Sequence, residues 1–135
     1  MQMNYTNIDD SDLRGDTLAD YLIAIDADFE IRDRGRTIYD EPKFPVVELA
    51  RSLSSWMTSG ERVDFEFDSL SSDESGLVRI TRGATGWRLS SVFTPDVVSS
   101  EVDLPELDTC IHEFIDHVAA DLAERGHDVD RLLRG

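Results

Sequence analysis

Apolar and polar residues alternate strictly in two stretches of the chain. In LIAIDADFEI, every second position from Ile23 to Ile31 is apolar, and three carboxylates lie between them on the other side. In VDFEF, which begins at Val63, phenylalanines alternate with acids in the same way. A period of two residues is typical of a strand with one buried face. Each stretch is therefore predicted to be a strand that turns its apolar side to the core.

Glycine-containing turns predict further strands. RDRGR (32–36) predicts a turn through Gly35, with TIYD (37–40) as the returning strand. GATG (83–86) is a tight connection between LVRITR (77–82) and WRLSSVF (87–93). Short β-rich segments joined by such turns are typical of hairpins. The second half of the chain is thus predicted to contain a three-stranded meander.

Helical spacing appears twice. Val46, Leu49, Leu53 and Trp56 recur at helical intervals after a proline, which predicts a helix over 45–58. A second apolar stripe predicts a helix over 105–125, ended by a glycine. The element order ββ-α-βββ-α predicts an α+β fold, an antiparallel sheet of about five strands with two main helices packed on one face. No repeat or linker interrupts the chain, so we expect a single α+β domain over 1–135.

The composition is strongly acidic. The chain has 29 acidic against 13 basic side chains, a formal net charge of −16, and Lys43 is its only lysine. Three explanations of this charge are open. It keeps the protein soluble, it reflects a salt-rich cytoplasm or a GC-rich genome, or it attracts a basic partner. Direct binding of nucleic acid is disfavoured because such a field repels phosphate.

One row of acids is the candidate binding surface. Asp64, Glu66 and Asp68 share one side of the predicted strand, and Asp73 and Glu74 follow in the next turn. Alternate residues of a strand lie about 6.6 Å apart. Exposure to solvent explains why these positions are polar, but not why all carry the same sign. A plain solvated face remains the alternative to a surface that binds a basic partner.

The motifs that suggest metal binding fail on inspection. HEFID resembles a zinc-protease helix, but His112 and His117 lie about 140° apart on a helix and cannot share an ion. His112 and Asp116 are therefore expected to form a surface pair. DSDLRG resembles the start of a calcium loop, but Arg14 and Tyr21 occupy ligand positions. We predict no metal, no cofactor and no catalytic residue.

Two large aromatic residues and one acid are expected near the core. Trp56 and Trp87 occupy core-facing positions, so burial is favoured over a role as interface anchors. Asp121 lies near the edge of the apolar stripe of the last predicted helix. If it is partly buried it needs a partner, and an arginine such as Arg88 or Arg51 is expected.

The predicted cellular compartment rests on the signal peptide and membrane span that the sequence does not show. Its first residues, MQMNYTNIDD, have no basic segment followed by an apolar run, so we predict no signal peptide. The longest apolar stretches are too short to span a membrane. Cys110 is the only cysteine, which excludes an intramolecular disulfide and predicts a small buried hydrophobe. A cytoplasmic protein, favoured as a monomer, is expected.

Three stretches carry a resemblance to a known family. They are EPKFPVVELARSL (41–53), DFEFDSLSSDESG (64–76) and GWRLSSVF (86–93). The chain resembles a family of small acidic proteins from high-GC bacteria, a domain of unknown function, over most of its length. The resemblance implies no catalytic residues, and it makes a high-GC genome a sufficient cause of the preference for arginine over lysine. In character, not in motif, the chain is also similar to immunity proteins that block polymorphic toxins.

These observations favour one function and leave two alternatives open. The favoured hypothesis is a non-enzymatic, immunity-type inhibitor of a basic partner such as a nuclease toxin, which acts by occlusion. Its interface would comprise Asp64, Glu66, Asp68, Asp73 and Glu74. The first alternative is a small-molecule-binding domain or an enzyme with an unrecognised site. The second is a general interaction domain, in which the charge serves only solubility.

Overall fold

Two antiparallel sheets of three strands each form the β part of the molecule. The computed structural model describes residues 1–134. The first sheet has the order β1-β2-β3 and the second the order β4-β5-β6. The strands are β1 (Gln2–Asp9), β2 (Asp26–Asp33), β3 (Arg36–Phe44), β4 (Phe65–Asp68), β5 (Ser75–Arg82) and β6 (Trp87–Ser90). The predicted α+β class is confirmed, but the prediction of one sheet of about five strands is wrong.

Four helices accompany the sheets. They are α1 (Leu18–Ala24), α2 (Val46–Thr58), α3 (Leu104–Glu124) and α4 (Val129–Leu133). The two long helices α2 and α3 lie within one residue of their predicted bounds. Pro45 precedes α2 as its N-cap residue, in keeping with the tolerance of helix starts for proline. The short helices α1 and α4 were not predicted.

Helix α1 corrects the first part of the predicted strand. It begins with a capping box in which the Thr17 side chain and the Asp20 side chain each accept a hydrogen bond from the other's backbone N–H. Ile23 therefore lies on a helix and is 50% exposed, whereas Ile25 is fully buried. The alternation holds only from Ile25 onward, because the capping box fixes the preceding turn as helix.

Strand β1 is the strand that the sequence did not reveal. Its residues Met3 and Tyr5 are buried and their neighbours are polar, so the period of two is present but rests on two residues. Pairing with β2 and packing against α3 supply the stability that the segment lacks alone. The ring of Tyr5 lies edge-on to that of Phe114 of α3, with centroids 6.0 Å apart.

A chain of aromatic rings joins the two sheets into one core. Phe44 of β3 stacks on Phe29 of β2 at 4.5 Å and lies 5.7 Å from Phe67 of β4. Trp56 and Trp87 are buried, as predicted, with their rings edge to face at 5.8 Å. Such aromatic contacts add to the stabilisation that burial itself provides.

Both predicted hairpin turns form. Arg34 and Gly35 have positive φ angles of 51° and 80°, the pattern of a two-residue turn that matches the twist of its strands. In the second hairpin, the N–H of Gly83 donates to the carbonyl of Gly86. A Cβ atom at Gly86 would lie 2.4 Å from the Val102 carbonyl oxygen, so the close approach of that segment requires glycine.

The predicted arginine partner of Asp121 is wrong. The Tyr5 hydroxyl donates to Asp121 Oδ2 at 2.5 Å, and His117 Nε2 lies 3.4 Å from the same oxygen. Burial, and after it the hydrogen bond to Asp121, raises the pKa of Tyr5 far above its ordinary value. The arginines are engaged elsewhere: Arg88 lies 3.6 Å from a Glu101 oxygen, and Arg51 donates to two backbone carbonyls of α4.

Asp33 is expected to make stability depend on pH. Burial alone would raise the pKa of this carboxyl, but hydrogen bonds from the Ser100 N–H and hydroxyl outweigh it and lower the pKa. The lowered pKa means that the ionised form stabilises the fold above about pH 4 and that this contribution is lost as the pH falls through the folded pKa. Asp33→Asn should therefore lower the melting temperature at neutral pH and lower it less near pH 3. Glu113→Gln, at an exposed position of α3, is the control; a difference that stays constant across pH would contradict the assignment.

Candidate functional site

The predicted acidic row lies exposed on the outer side of the second sheet. Asp64, Glu66 and Asp68 are exposed, while the alternating Phe65 and Phe67 are buried. Asp64 immediately precedes β4, and the other two acids lie within it. The carboxylates thus emerge on one side, as the alternation predicts. Whether they bind a partner stays a prediction.

Each carboxylate of this row has a local partner in β5. Asp64 accepts a hydrogen bond from the Arg82 N–H at 3.0 Å, Glu66 Oε1 lies 3.2 Å from Arg79 Nε, and Asp68 accepts from the Gly76 N–H at 3.3 Å. These contacts brace a short edge strand against its neighbour, which gives the acids a structural purpose. The positive charge of Arg79 offsets much of the negative charge of Glu66. Asp64 and Asp68 accept hydrogen bonds from backbone N–H groups of β5, so no cation offsets their negative charges there.

The two turn acids of the predicted surface are less constrained. Asp73 and Glu74 are exposed in the connection between β4 and β5. The Glu74 N–H donates to the Ser72 hydroxyl at 3.1 Å, which shapes the turn. Within residues 1–134, neither carboxylate lies in an ion pair. Their charges therefore add to those of the aspartates in the adjoining row.

A second acidic surface, missed at the level of sequence, lies on the outer face of the first sheet. An open depression of about 390 Å³ there is lined by Asp28, Glu30, Asp40 and Glu41, together with Thr6 and Pro42. We call these four carboxylates and their surroundings the acidic depression. Glu30 of β2 pairs directly with Asp40 of β3. The alternating acids of β2 were visible in the sequence, but only this pairing brings them beside those of β3.

Few cations compensate the acidic depression. Arg32 Nη1 lies 3.9 Å from Glu30 Oε2, and the Asn7 amide donates to Asp28 at 2.9 Å. At the start of β2, the pKa of Asp26 is raised by burial first and then by the charges of Asp9 and Asp12. Lys43 opposes this rise, and Asp28 adds a smaller one. Like charges that line one depression repel one another, so a bound cation would relieve the repulsion. The depression therefore has the electrostatic character of a docking site for positive groups.

His117, His127 and the loop that resembles a calcium site are engaged in structural contacts. His117 stacks on Tyr5 with centroids 4.1 Å apart. Asp10 binds Arg125 at 3.2 Å and His127 at 3.0 Å, and so ties the first loop to the end of α3. In the described part of the chain, no group of three or more His, Cys, Asp or Glu side chains is arranged so that it could hold a metal ion.

Cys110 is buried in the core, as predicted. Burial raises the pKa of its thiol to about 11, so the reactive thiolate is scarce at neutral pH. Along residues 1–134, none of the helices combines the length and apolar character needed to cross a membrane.

Comparison with known proteins adds a family and no activity. No curated protein and no solved structure shows significant similarity to the chain. A family model described as "Domain of unknown function (DUF7878)" matches residues 1–124, most of the chain. This match confirms the predicted resemblance to a domain of unknown function. The chain therefore belongs to the DUF7878 family.

Proposed function

We propose that the chain is a non-enzymatic binding protein of immunity type, which inhibits a basic partner such as a nuclease toxin by occlusion. The observation that carries this proposal is the acidic depression, which four carboxylates line. Among residues 1–134, the ion pair that these carboxylates form is the 3.9 Å contact between Glu30 and Arg32. A concave surface of one sign focuses its field on an approaching partner of the opposite sign. The depression is therefore the principal docking surface in this proposal.

The mechanism is competition for the partner's cationic groups. A nuclease holds substrate phosphates with arginine and lysine side chains. Carboxylates of the depression engage these groups and leave no place for phosphate. Charge complementarity of this kind accelerates association and disfavours wrong partners. Association should accordingly be fast at low salt and slow as the salt concentration rises.

The acidic row of the second sheet forms an outlying part of the proposed interface. Asp64 and Asp68 contribute their uncompensated charges, together with Asp73 and Glu74 in the turn. Glu66 contributes less, because Arg79 already lies against it. The row should thus assist approach of the partner more than it holds the bound complex.

Charge reversal in the acidic depression should slow association with a purified partner by roughly tenfold or more at low salt. The variant carries Asp28→Lys, Glu30→Lys and Asp40→Lys. Reversal of Asp64, Glu66 and Asp68 to lysine should have a smaller effect. The rates are measured by surface plasmon resonance at low and high salt. The partner is first cross-linked in native cells, and it is accepted only if this chain blocks its activity.

A third variant separates local docking from overall charge. Glu113, Asp116 and Glu124 are exposed acids of α3. Their reversal to lysine changes the net charge by the same amount, and it should slow association only slightly. If this control slows association as much as reversal in the depression, net charge alone governs binding and the proposed surface is wrong.

A further inference from the structure

A cleft lies where the two sheets meet, next to the acidic depression. It has a volume of about 200 Å³ and lies between the end of β3, the loop after β4 and the segment after β6. We call it the junction cleft, and its lining includes Tyr39, Glu41, Phe44, Ser69, Leu77 and Phe93. Lys43 also lines it, and the charge of this lysine acts on Asp9 and Asp26. The volume is below the roughly 300 to 1,000 Å³ of typical small-molecule pockets. The size therefore suits a single side chain better than a drug-sized ligand.

The wall of the cleft carries an exposed aromatic ring. Phe93 is 51% exposed and lies nearly parallel to Tyr39, with centroids 6.5 Å apart. Elsewhere the chain covers aromatic faces with its own arginines. Guanidinium groups lie over Trp56 at 4.8 Å, Trp87 at 5.8 Å and Tyr21 at 5.4 Å. Among the residues described, no such cation covers Phe93, so its face is open to one from outside.

The Tyr39 hydroxyl is an incompletely satisfied polar group in the same wall, because the Ser91 hydroxyl is near enough to lower its pKa but makes no hydrogen bond of normal geometry with it. The residue is 3% exposed, and its oxygen has no hydrogen bond of normal geometry within residues 1–134. Burial, and after it the charge of Glu41, raises the pKa of the phenol to about 12, against the opposing influence of the Ser91 hydroxyl. The phenol stays protonated at neutral pH and offers both a donor and an acceptor. A buried polar group without a partner destabilises the free protein.

The cleft and the acidic depression share a rim. Glu41 and Pro42 line both. A basic segment that crosses the depression therefore passes the mouth of the cleft. The carboxylate of Glu41 lies where it can meet a positive group on either side of this rim.

We propose that the junction cleft receives one arginine side chain of the basic partner. The identity of the partner as a basic protein rests on the proposed function. The preference of the cleft for arginine rests on the residues that line it, Glu41 and Phe93 above all. The alkyl part of the side chain packs against Phe44 and Leu77, and the guanidinium plane stacks on Phe93 while it donates to Glu41. Arginine fits better than lysine, because its planar group stacks on a ring and donates in a fixed fork. The Tyr39 oxygen is enclosed in the free protein, so a further N–H reaches it only when the half-exposed Phe93 ring turns aside.

The test uses a short peptide as the probe. Acetyl-Gly-Arg-Gly-amide is titrated into the isotopically labelled protein, and NMR shifts of Phe93, Leu77 and Tyr39 are followed. The matched probe replaces arginine by citrulline, which has nearly the same shape and no charge. The arginine peptide should shift the resonances of the cleft, and the citrulline peptide should bind at least about tenfold more weakly. Equal binding of the two peptides would overturn the proposal.

Two variants locate the site. Phe93→Ala should weaken binding of the arginine peptide roughly tenfold, whereas Ile23→Ala, which is 50% exposed on α1, should leave it unchanged. Tyr39→Phe should raise the melting temperature of the free protein and weaken peptide binding. A fall in melting temperature would show that the Tyr39 hydroxyl stabilises the fold of the free protein, and the proposed hydrogen bond from the arginine to Tyr39 would be wrong.

The outcomes also separate this inference from the proposed function. If the arginine peptide shifts only residues of the acidic depression, the cleft is not its site, and the docking surface stands. If the peptide occupies the cleft but charge reversal in the depression leaves the association rate of the partner unchanged, the docking surface fails, and the arginine site stands.

Discussion

Replacing Phe44 by alanine is expected to lower the free energy of unfolding by about 3 to 5 kcal/mol. The side chain is 1% exposed and contacts rings of both sheets, Phe29 at 4.5 Å and Phe67 at 5.7 Å. Its removal leaves a cavity at the place where the sheets share their core. Urea unfolding followed by tryptophan fluorescence measures the effect, because Trp56 and Trp87 are buried in the same core.

Phe93→Ala is the matched control for this prediction. It removes the same side chain from a position that is 51% exposed, and it should cost no more than about 1 kcal/mol. The comparison also shows that the variant used in the peptide test is folded. Equal losses at the two positions would mean that Phe44 does not hold the sheets together.

Replacing Glu48 by alanine is expected to lower the free energy of unfolding by about 2 to 3 kcal/mol. Glu48 is 5% exposed in the first turn of α2. One carboxylate oxygen accepts from the Ser69 hydroxyl at 2.5 Å, and the other accepts from the Leu70 N–H at 3.0 Å. Without the carboxylate the Leu70 N–H loses its partner, the Ser69 hydroxyl keeps only Ser71 Oγ at 3.2 Å, and the loop after β4 loses its attachment to the helix. Thermal unfolding at neutral pH measures the change.

Two further variants test the physical reason. Ser69→Ala removes the donor to one Glu48 oxygen and the acceptor of the Ser71 N–H, but it leaves the bond from Leu70 to Glu48, so it should cost less than Glu48→Ala, about 1 kcal/mol. Glu48→Gln keeps an acceptor for one of the two donors and should give an intermediate loss. The same loop forms one wall of the junction cleft, so Glu48→Ala should also weaken binding of the arginine peptide. A loss for Glu48→Ala no larger than that for Ser69→Ala would contradict the attachment of the loop to the helix through Glu48.

Local patterns of apolar residues predicted those helices and strands whose buried face repeats at regular intervals in the sequence. The apolar stripes placed α2 and α3 within one residue of their observed bounds, because helical spacing and a flanking proline leave few alternatives. The alternation around Phe29 placed β2 correctly from Ile25 onward. It failed at Ile23, where the capping box of Thr17 and Asp20 imposed a helix instead. Strand β1 offered only Met3 and Tyr5 as signals, and its burial depends on partners far along the chain.

The candidate site was only partly visible in the sequence. Alternation correctly set Asp64, Glu66 and Asp68 on the exposed side of the second sheet. Their backbone and arginine partners in β5 depend on strand register, which alternation does not specify.

The amino-acid sequence by itself determined the α+β class, the long helices, both hairpins and the outward direction of the carboxylates, because each follows from contacts within a few residues. Only the tertiary structure decided that six strands divide into two sheets, that Glu30 lies opposite Asp40, and that Tyr39 and Phe93 border a cleft beside them. Strand partners and the meeting of two sheets are set by the packing of residues far apart in the chain. The physical reason is that the free energy of that packing belongs to the whole core, and no short window of sequence contains it.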